Sequence, residues 1–154
     1  FVCADPQETR LDADASCAPD VVASVTDMGD IGEFDIVYAC HMLEHLAEHD
    51  VALALAEFRR VLVPGGRVLI IVPDLEGVPP DATVMYESAA GPVRGLDMYF
   101  GMAKYLHNKP YMAHRTGFVE ATMRAALEAA GFAHISIIRG EHYQLVGIAA
   151  KGAQ

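Results

Sequence analysis

The sequence predicts an α/β domain whose mainly parallel sheet closes on an antiparallel C-terminal strand pair. Three observations carry this. A β-branched and aromatic stretch, FDIVYA (34–39), is followed by apolar residues at helical spacing and then by the aliphatic run RVLIIV (67–72). That strand–helix–strand order belongs to parallel neighbours. The run 67–72 is apolar on both faces, as strands interior to a parallel sheet are. The last two strand-like stretches, ISII (135–138) and LVGIA (145–149), are joined by too short a turn for a parallel crossover.

Composition sets the bounds. A chain of 154 residues reads as one domain. With 53% hydrophobic residues and a mean hydropathy of +0.23, it has enough apolar material to bury a core. The longest aliphatic run, 68–72, is far below the ~18 residues of a membrane span, so no membrane partner is expected. A net charge of −10 repels a phosphate backbone, which argues against nucleic acid as a partner. Cys3, Cys17 and Cys40 are odd in number and form no close pair, which fits a reducing, cytoplasmic setting. The first ten residues have neither the basic nor the apolar region of a signal peptide. They open on Phe1, as if inside a longer reading frame.

Taken in order, residues 9–12 and 20–23 read as short strands, and 34–39 as a clearer one. Asp50 reads as a helix N-cap, with Val51, Leu55, Phe58 and Leu62 on one face after it. Pro64-Gly65-Gly66 ends that helix and leads into the strand 67–72. An insert at about 75–118 is rich in Gly, Pro and aromatics and holds Tyr86, Tyr99, Tyr105, Tyr111, Met85, Met98, Met102 and Met112. Its Met and Tyr residues serve either as a pocket wall or as a core-facing stripe. Val119, Met123, Ala126, Leu127 and Ala130 restore helical spacing, and Gly131 supplies the stop.

The stretch CHMLEHLAEH (40–49) poses the chemical question. His41-Met42-Leu43-Glu44-His45 spells the H-x-x-E-H pattern of inverted zinc peptidases, and His49 extends the four-residue spacing. Such a site needs the motif inside a helix. Here it follows directly on a strand, and the helix is expected only from Asp50. No metal is therefore expected at His41, His45 and His49, and a metal-binding protein built on that trio is the least favoured reading. Glu44 and His45 are expected to hold the post-strand turn by hydrogen bonds.

The order FDIVYACHMLEHL, EFRRVLVPGGRVLIIVPD and MAHRTGFVEATMRAALEAAGF resembles the class I S-adenosylmethionine (SAM)-dependent methyltransferases of the broad type-11 kind. The resemblance runs from Arg10 to nearly the end of the chain. It implies a Rossmann-like three-layer sandwich with strand order 3-2-1-4-5-7-6, SAM as cofactor, and methyl transfer to a small-molecule acceptor. By resemblance, Asp12 or Asp14 takes the ribose hydroxyls, Asp27 the adenine amino group with Met28 against the ring, and Ala39, Cys40 and His41 flank the methionine part. A carboxylate suits a diol because it accepts two hydrogen bonds at once. The insert is then the acceptor pocket and lid. His114 and His41 are the candidates for orienting the acceptor or taking its proton, and Tyr111 and Arg115 for binding it, Arg115 as an anion clamp.

One departure is plain. The family's first strand ends in a glycine-rich loop, and no such loop stands before Arg10. The N-terminal βα unit is missing or rebuilt. This implies weak SAM affinity and an open gap between the strands at 10–12 and 34–39. Residues 1–4, direct pairing of the flanking strands, or a second copy in a homodimer are the candidates to fill it. The alternative to an enzyme is a non-catalytic binding or assembly module of the same fold.

Overall fold

The structure is a computed structural model, and it describes residues 7–152. Its main sheet has four strands, β3 (Phe34–Cys40), β4 (Leu62–Pro73), β7 (Phe132–Arg139) and β8 (Gln144–Lys151). They lie in the order β3-β4-β8-β7. β3 and β4 are parallel, with Val37 opposite Val68 and Ala39 opposite Ile70. β8 runs antiparallel to both β4 and β7, as the short connection demands. Two earlier strands, β1 (Leu11–Asp12) and β2 (Val21–Val22), form a separate parallel pair.

Helix α1 (Glu48–Val61) links β3 to β4, and α4 (Glu120–Ala129) precedes β7. They touch each other and pack on one face of the sheet. Val51, Ala54, Leu55, Phe58 and Val61 of α1 meet Val68, Ile70 and Val72 of β4 and Met123 and Leu127 of α4 in one core. Strand alternation sends the intervening residues to the other face. There Ile36, Tyr38 and Ile138 are exposed, at 55%, 61% and 52%. The β1–β2 segment is tied to α1 by side chains: Glu57 Oε2 accepts from Met28 N, and Arg60 donates to the Gly29 carbonyl.

α1 starts three residues earlier than the Asp50 cap implies. Ala47 stands at the N-cap without a side-chain bond, and Glu48 and Asp50 occupy the first turn. Carboxylates there complement the helix dipole, which is why Asp50 mimics a cap in the sequence. At the other end the prediction holds in outline: α1 stops at Val61, and Pro64-Gly65-Gly66 falls within the start of β4.

Between β4 and α4 the insert forms a unit with its own small core. It contains a hairpin, β5 (Val84–Ser88) with β6 (Gly91–Arg94), then α2 (Gly95–Phe100) and α3 (Ala103–Leu106). Val78, Val93 and Met98 are buried at its centre, with Met85, Tyr86, Tyr99 and Met102 packed around them. For Met98 the core-facing stripe is thus what the fold adopts, whereas Tyr105, Tyr111 and Met112 are exposed. The unit leaves and rejoins the body at one place, where Asp74 bridges Phe118 and Leu75 N donates to Phe118 O.

Among the described residues no strand stands between β1 and β3, β3 is an edge strand, and β1 pairs only with β2. The suggestion that residues 1–4 fill the space lies outside the described residues.

Candidate active site

A cleft of about 390 Å³ separates the β1–β2 pair from β3. Its floor is apolar, made by Val25, Met28, Ile31, Val37 and Phe58, and its upper end carries Asp12, Ala39, Cys40 and His41. Asp12 and Ala39 to His41 sit at the carboxyl ends of β1 and β3, where open α/β sheets bind ligands. Asp12, Met28, Ala39, Cys40 and His41 are thus brought together. Asp14 and Asp27 are not part of this lining. Asp14 caps the turn Ala15–Cys17 through Ser16 N, and that bond holds its carboxyl below the usual range. Asp27 is exposed beside the Ser24 turn, where its amide donates to Ser24 O.

β3 ends abruptly. His41 has φ = +49°, a left-handed conformation in a residue with a Cβ, and its amide still donates to Ile71 O at 2.8 Å. This bend throws Leu43–His45 into a single 3-10 turn. Leu43 plugs the core at 2% exposure, and Glu44, one residue on, is equally buried. Glu44 Oε1 lies 3.1 Å from His41 Nδ1, while Oε2 is buried without a hydrogen-bond partner.

The returning limb of the insert docks on this turn. The Glu44 carbonyl accepts from Arg115 N at 2.7 Å and Thr116 N at 3.2 Å, and Thr116 Oγ1 donates to Leu46 O at 2.7 Å. The docking brings His114 to His45, with ring centroids 5.1 Å apart at 66°. His114 Nδ1 is 2.8 Å from Met98 O, and His45 Nδ1 is 3.3 Å from Ala113 O. A carbonyl oxygen only accepts, so each Nδ1 carries the hydrogen and each Nε2 presents a lone pair. Burial pushes the His114 imidazole below its usual pKa, so it is neutral at physiological pH.

His41, His45 and His49 do not share a helix. His41 precedes the 3-10 turn, His45 is its last residue, and His49 lies in α1 with its side chain 81% exposed. Sequence spacing did not mark the association of Glu44 and His45 with His114, a residue from the far end of the insert. Arg115 lines a separate groove between α1 and α4. His114 instead lines a small pocket with Glu44 and Met98. Tyr111 is half exposed, at 51%, in the short turn before that limb.

The sheet order, with its parallel pair followed by an antiparallel one and a cleft beside β3, defines a methyltransferase-type α/β fold. Comparison with known proteins agrees. Residues 1–70 match the profile of the methyltransferase domain family. No curated protein matches the sequence. Among solved structures, human N-acetylserotonin methyltransferase in complex with SAM superposes with a TM-score of 0.56 at 14% identity, covering 85% of this chain and 33% of that one. A putative O-methyltransferase from Nostoc punctiforme gives 0.57 at 18%, covering 85% and 35%. The 1,6-didemethyltoxoflavin-N1-methyltransferase of Burkholderia thailandensis, with its substrate and S-adenosylhomocysteine bound, gives 0.52 at 20%, covering 86% and 50%. The chain therefore has the class I methyltransferase fold and spans a third to a half of the length of these structures. Among the described residues no helix is long and apolar enough to cross a membrane.

Proposed function

We propose that the chain takes part in SAM-dependent methyl transfer to a small-molecule acceptor. The observation that carries this reading is the position of His41, which borders the cleft and also bonds the buried Glu44. One residue thereby joins a nucleoside-sized cleft to a cluster of polar side chains under the insert.

The cleft suits the cofactor in kind. About 390 Å³ is within the range of small-molecule sites, its floor is apolar, and Asp12 offers a carboxylate at the rim. Bound there, SAM would supply a methyl group on a sulfonium, a leaving group already activated. The protein's part is then chiefly orientation. Asp12 holds a diol, Met28 packs on a flat ring, and His41 and His114 orient the acceptor. The insert, with Tyr111 on its exposed side, acts as the acceptor lid. Arg115 contacts an acceptor only if the acceptor reaches toward the α1–α4 groove.

Calorimetric titration of this chain with SAM and S-adenosylhomocysteine tests the reading. Both should bind, and Asp12→Ala should weaken them about tenfold, the worth of a hydrogen bond to a charged group. Absence of binding by either compound would overturn it. The β3 edge, unpaired among the described residues, supports a second reading, an assembly module in which a second copy of the chain shields that edge. Self-association without cofactor binding would favour it.

A further inference from the structure

We propose that Glu44, His45 and His114 form a binding site for a divalent first-row transition cation. The site shares only His45 with the His41/His45/His49 trio suggested by spacing, and its existence does not depend on the methyl-transfer reading. Each of the three residues offers one ligand atom, and these atoms all lie within 4.8 Å of one another. Ligands on one ion stand ~3–4 Å apart at the usual bond lengths of ~2.0–2.2 Å, so modest side-chain rotation closes the set.

The hydrogen-bond pattern points to a cation. Both imidazoles give their Nδ1 hydrogens to main-chain carbonyls, at Met98 and Ala113. Their Nε2 lone pairs therefore remain. Glu44 Oε2 is buried with no partner. The cluster thus gathers two imidazole nitrogens and a buried carboxylate oxygen that has no hydrogen-bond partner. Left so, the buried oxygen bears an uncompensated desolvation cost. A cation satisfies all three atoms at once.

The surroundings are those of a built site. Metal-bound histidines characteristically donate their other nitrogen to a carbonyl or carboxylate, which fixes tautomer and ring orientation. Here that arrangement exists before any ion is added. The two limbs carrying the ligands are clamped by the bonds from Arg115 and Thr116 to the Glu44 carbonyl. His41 steadies the other carboxylate oxygen at 3.1 Å.

Two imidazoles and one carboxylate favour zinc, cobalt, iron or manganese over magnesium or calcium, which prefer oxygen. Three protein ligands leave positions open for a water or an acceptor oxygen. The ion's use, unlike its binding, rests on the methyl-transfer reading. An acceptor hydroxyl bound to it loses its proton to solvent more readily. The oxygen keeps the electron pair that forms the new bond to the methyl carbon. The carbon–sulfur bond breaks, and its pair stays on sulfur.

The test is titration of tag-free, chelator-treated protein with cobalt(II), followed by zinc competition. We expect one equivalent per chain, visible bands of imidazole-ligated cobalt, and a rise in melting temperature on zinc addition. Glu44→Gln and His114→Ala should each weaken binding at least about tenfold, while His49→Ala leaves it unchanged. Should His114→Ala fail to fold, zinc-induced shifts of the His45 and His114 imidazole resonances in the native chain decide the matter. Absence of binding up to millimolar cobalt, zinc and manganese would overturn the proposal. So would binding that His49→Ala abolishes and Glu44→Gln spares. These titrations contain no SAM, so their outcome is independent of the calorimetric test of cofactor binding.

Discussion

Glu44 is the residue at which stability and binding pull in different directions. In metal-free protein its Oε2 is a buried acceptor with nothing to accept from. A glutamine keeps the His41 contact and gives the imidazole lone pairs an N–H. Glu44→Gln should therefore leave stability unchanged or raise it by about 1 kcal/mol in chelator, read from thermal melts. A loss of more than about 2 kcal/mol would contradict the unpaired state of that oxygen. Asp97 is the opposite case, a buried carboxylate fully engaged. It accepts from Arg94 N, Nε and Nη2 at 2.9, 2.8 and 2.8 Å, closing the first turn of α2. The Arg94 guanidinium holds its carboxyl below the usual range. A depressed folded-state pKa adds stability above the unfolded value of ~3.9, lost as pH falls through the folded value. Asp97→Ala should cost roughly 1–2 kcal/mol at pH 7, discounted for the half-exposed guanidinium, and much less near pH 2. A pH-independent difference would refute the ion-pair account. At this scale the sequence exposed half of the polar cluster. HMLEH stood out by its spacing and His114 by its place after the insert. Their convergence depends on how the returning limb docks, which no local pattern encodes.

At the scale of elements, the insert's position rests on one glycine. Gly101 ends α2 at φ = +84°, and a Cβ there would lie 2.6 Å from Met112 O. Neither the angle nor the contact tolerates a side chain, and the displaced segment leads directly to His114. Gly101→Ala should cost about 1–3 kcal/mol and also weaken cobalt binding. Destabilisation with unchanged metal affinity would show that His114 is held independently of α2. The elements themselves were largely legible. The order of β3, α1, β4, α4, β7 and β8 follows from apolar period and breakers, because each buries one continuous face. The start of α1 was misplaced because Ala47 makes no side-chain cap, so the sequence shows only acidic first-turn residues. The insert's helices were not resolved from its sequence because they are one to two turns long, too short for a period to register.

For the whole molecule, the decisive feature is the uncovered side of β3. Ile36 and Tyr38 are exposed on one face, and no described strand pairs with the outer edge. Apolar faces and free edges recruit partners. The chain should therefore self-associate with rising concentration in sedimentation experiments, and Ile36→Lys with Tyr38→Lys should restore a monomer without lowering the melting temperature by more than a degree or two. A native chain that stays monomeric at all concentrations would sink this prediction. The antiparallel C-terminal pair was legible in the brevity of the final turn, and its place beside β4 in the family resemblance. What would cover β3 was not legible, since an edge specifies backbone bonds rather than the identity of what makes them. The junction of the insert has a different kind of consequence. Asp74 and Phe118 stand on one rung, so everything between them is a loop whose ends already meet. Lengthening such a loop costs only the logarithm of its size. In evolutionary terms the insert is an exchangeable cassette. Descendants of this chain can rewrite what lies between Asp74 and Phe118, by duplication, deletion or wholesale replacement, while the register of β4 against β3 and β8 is inherited unchanged.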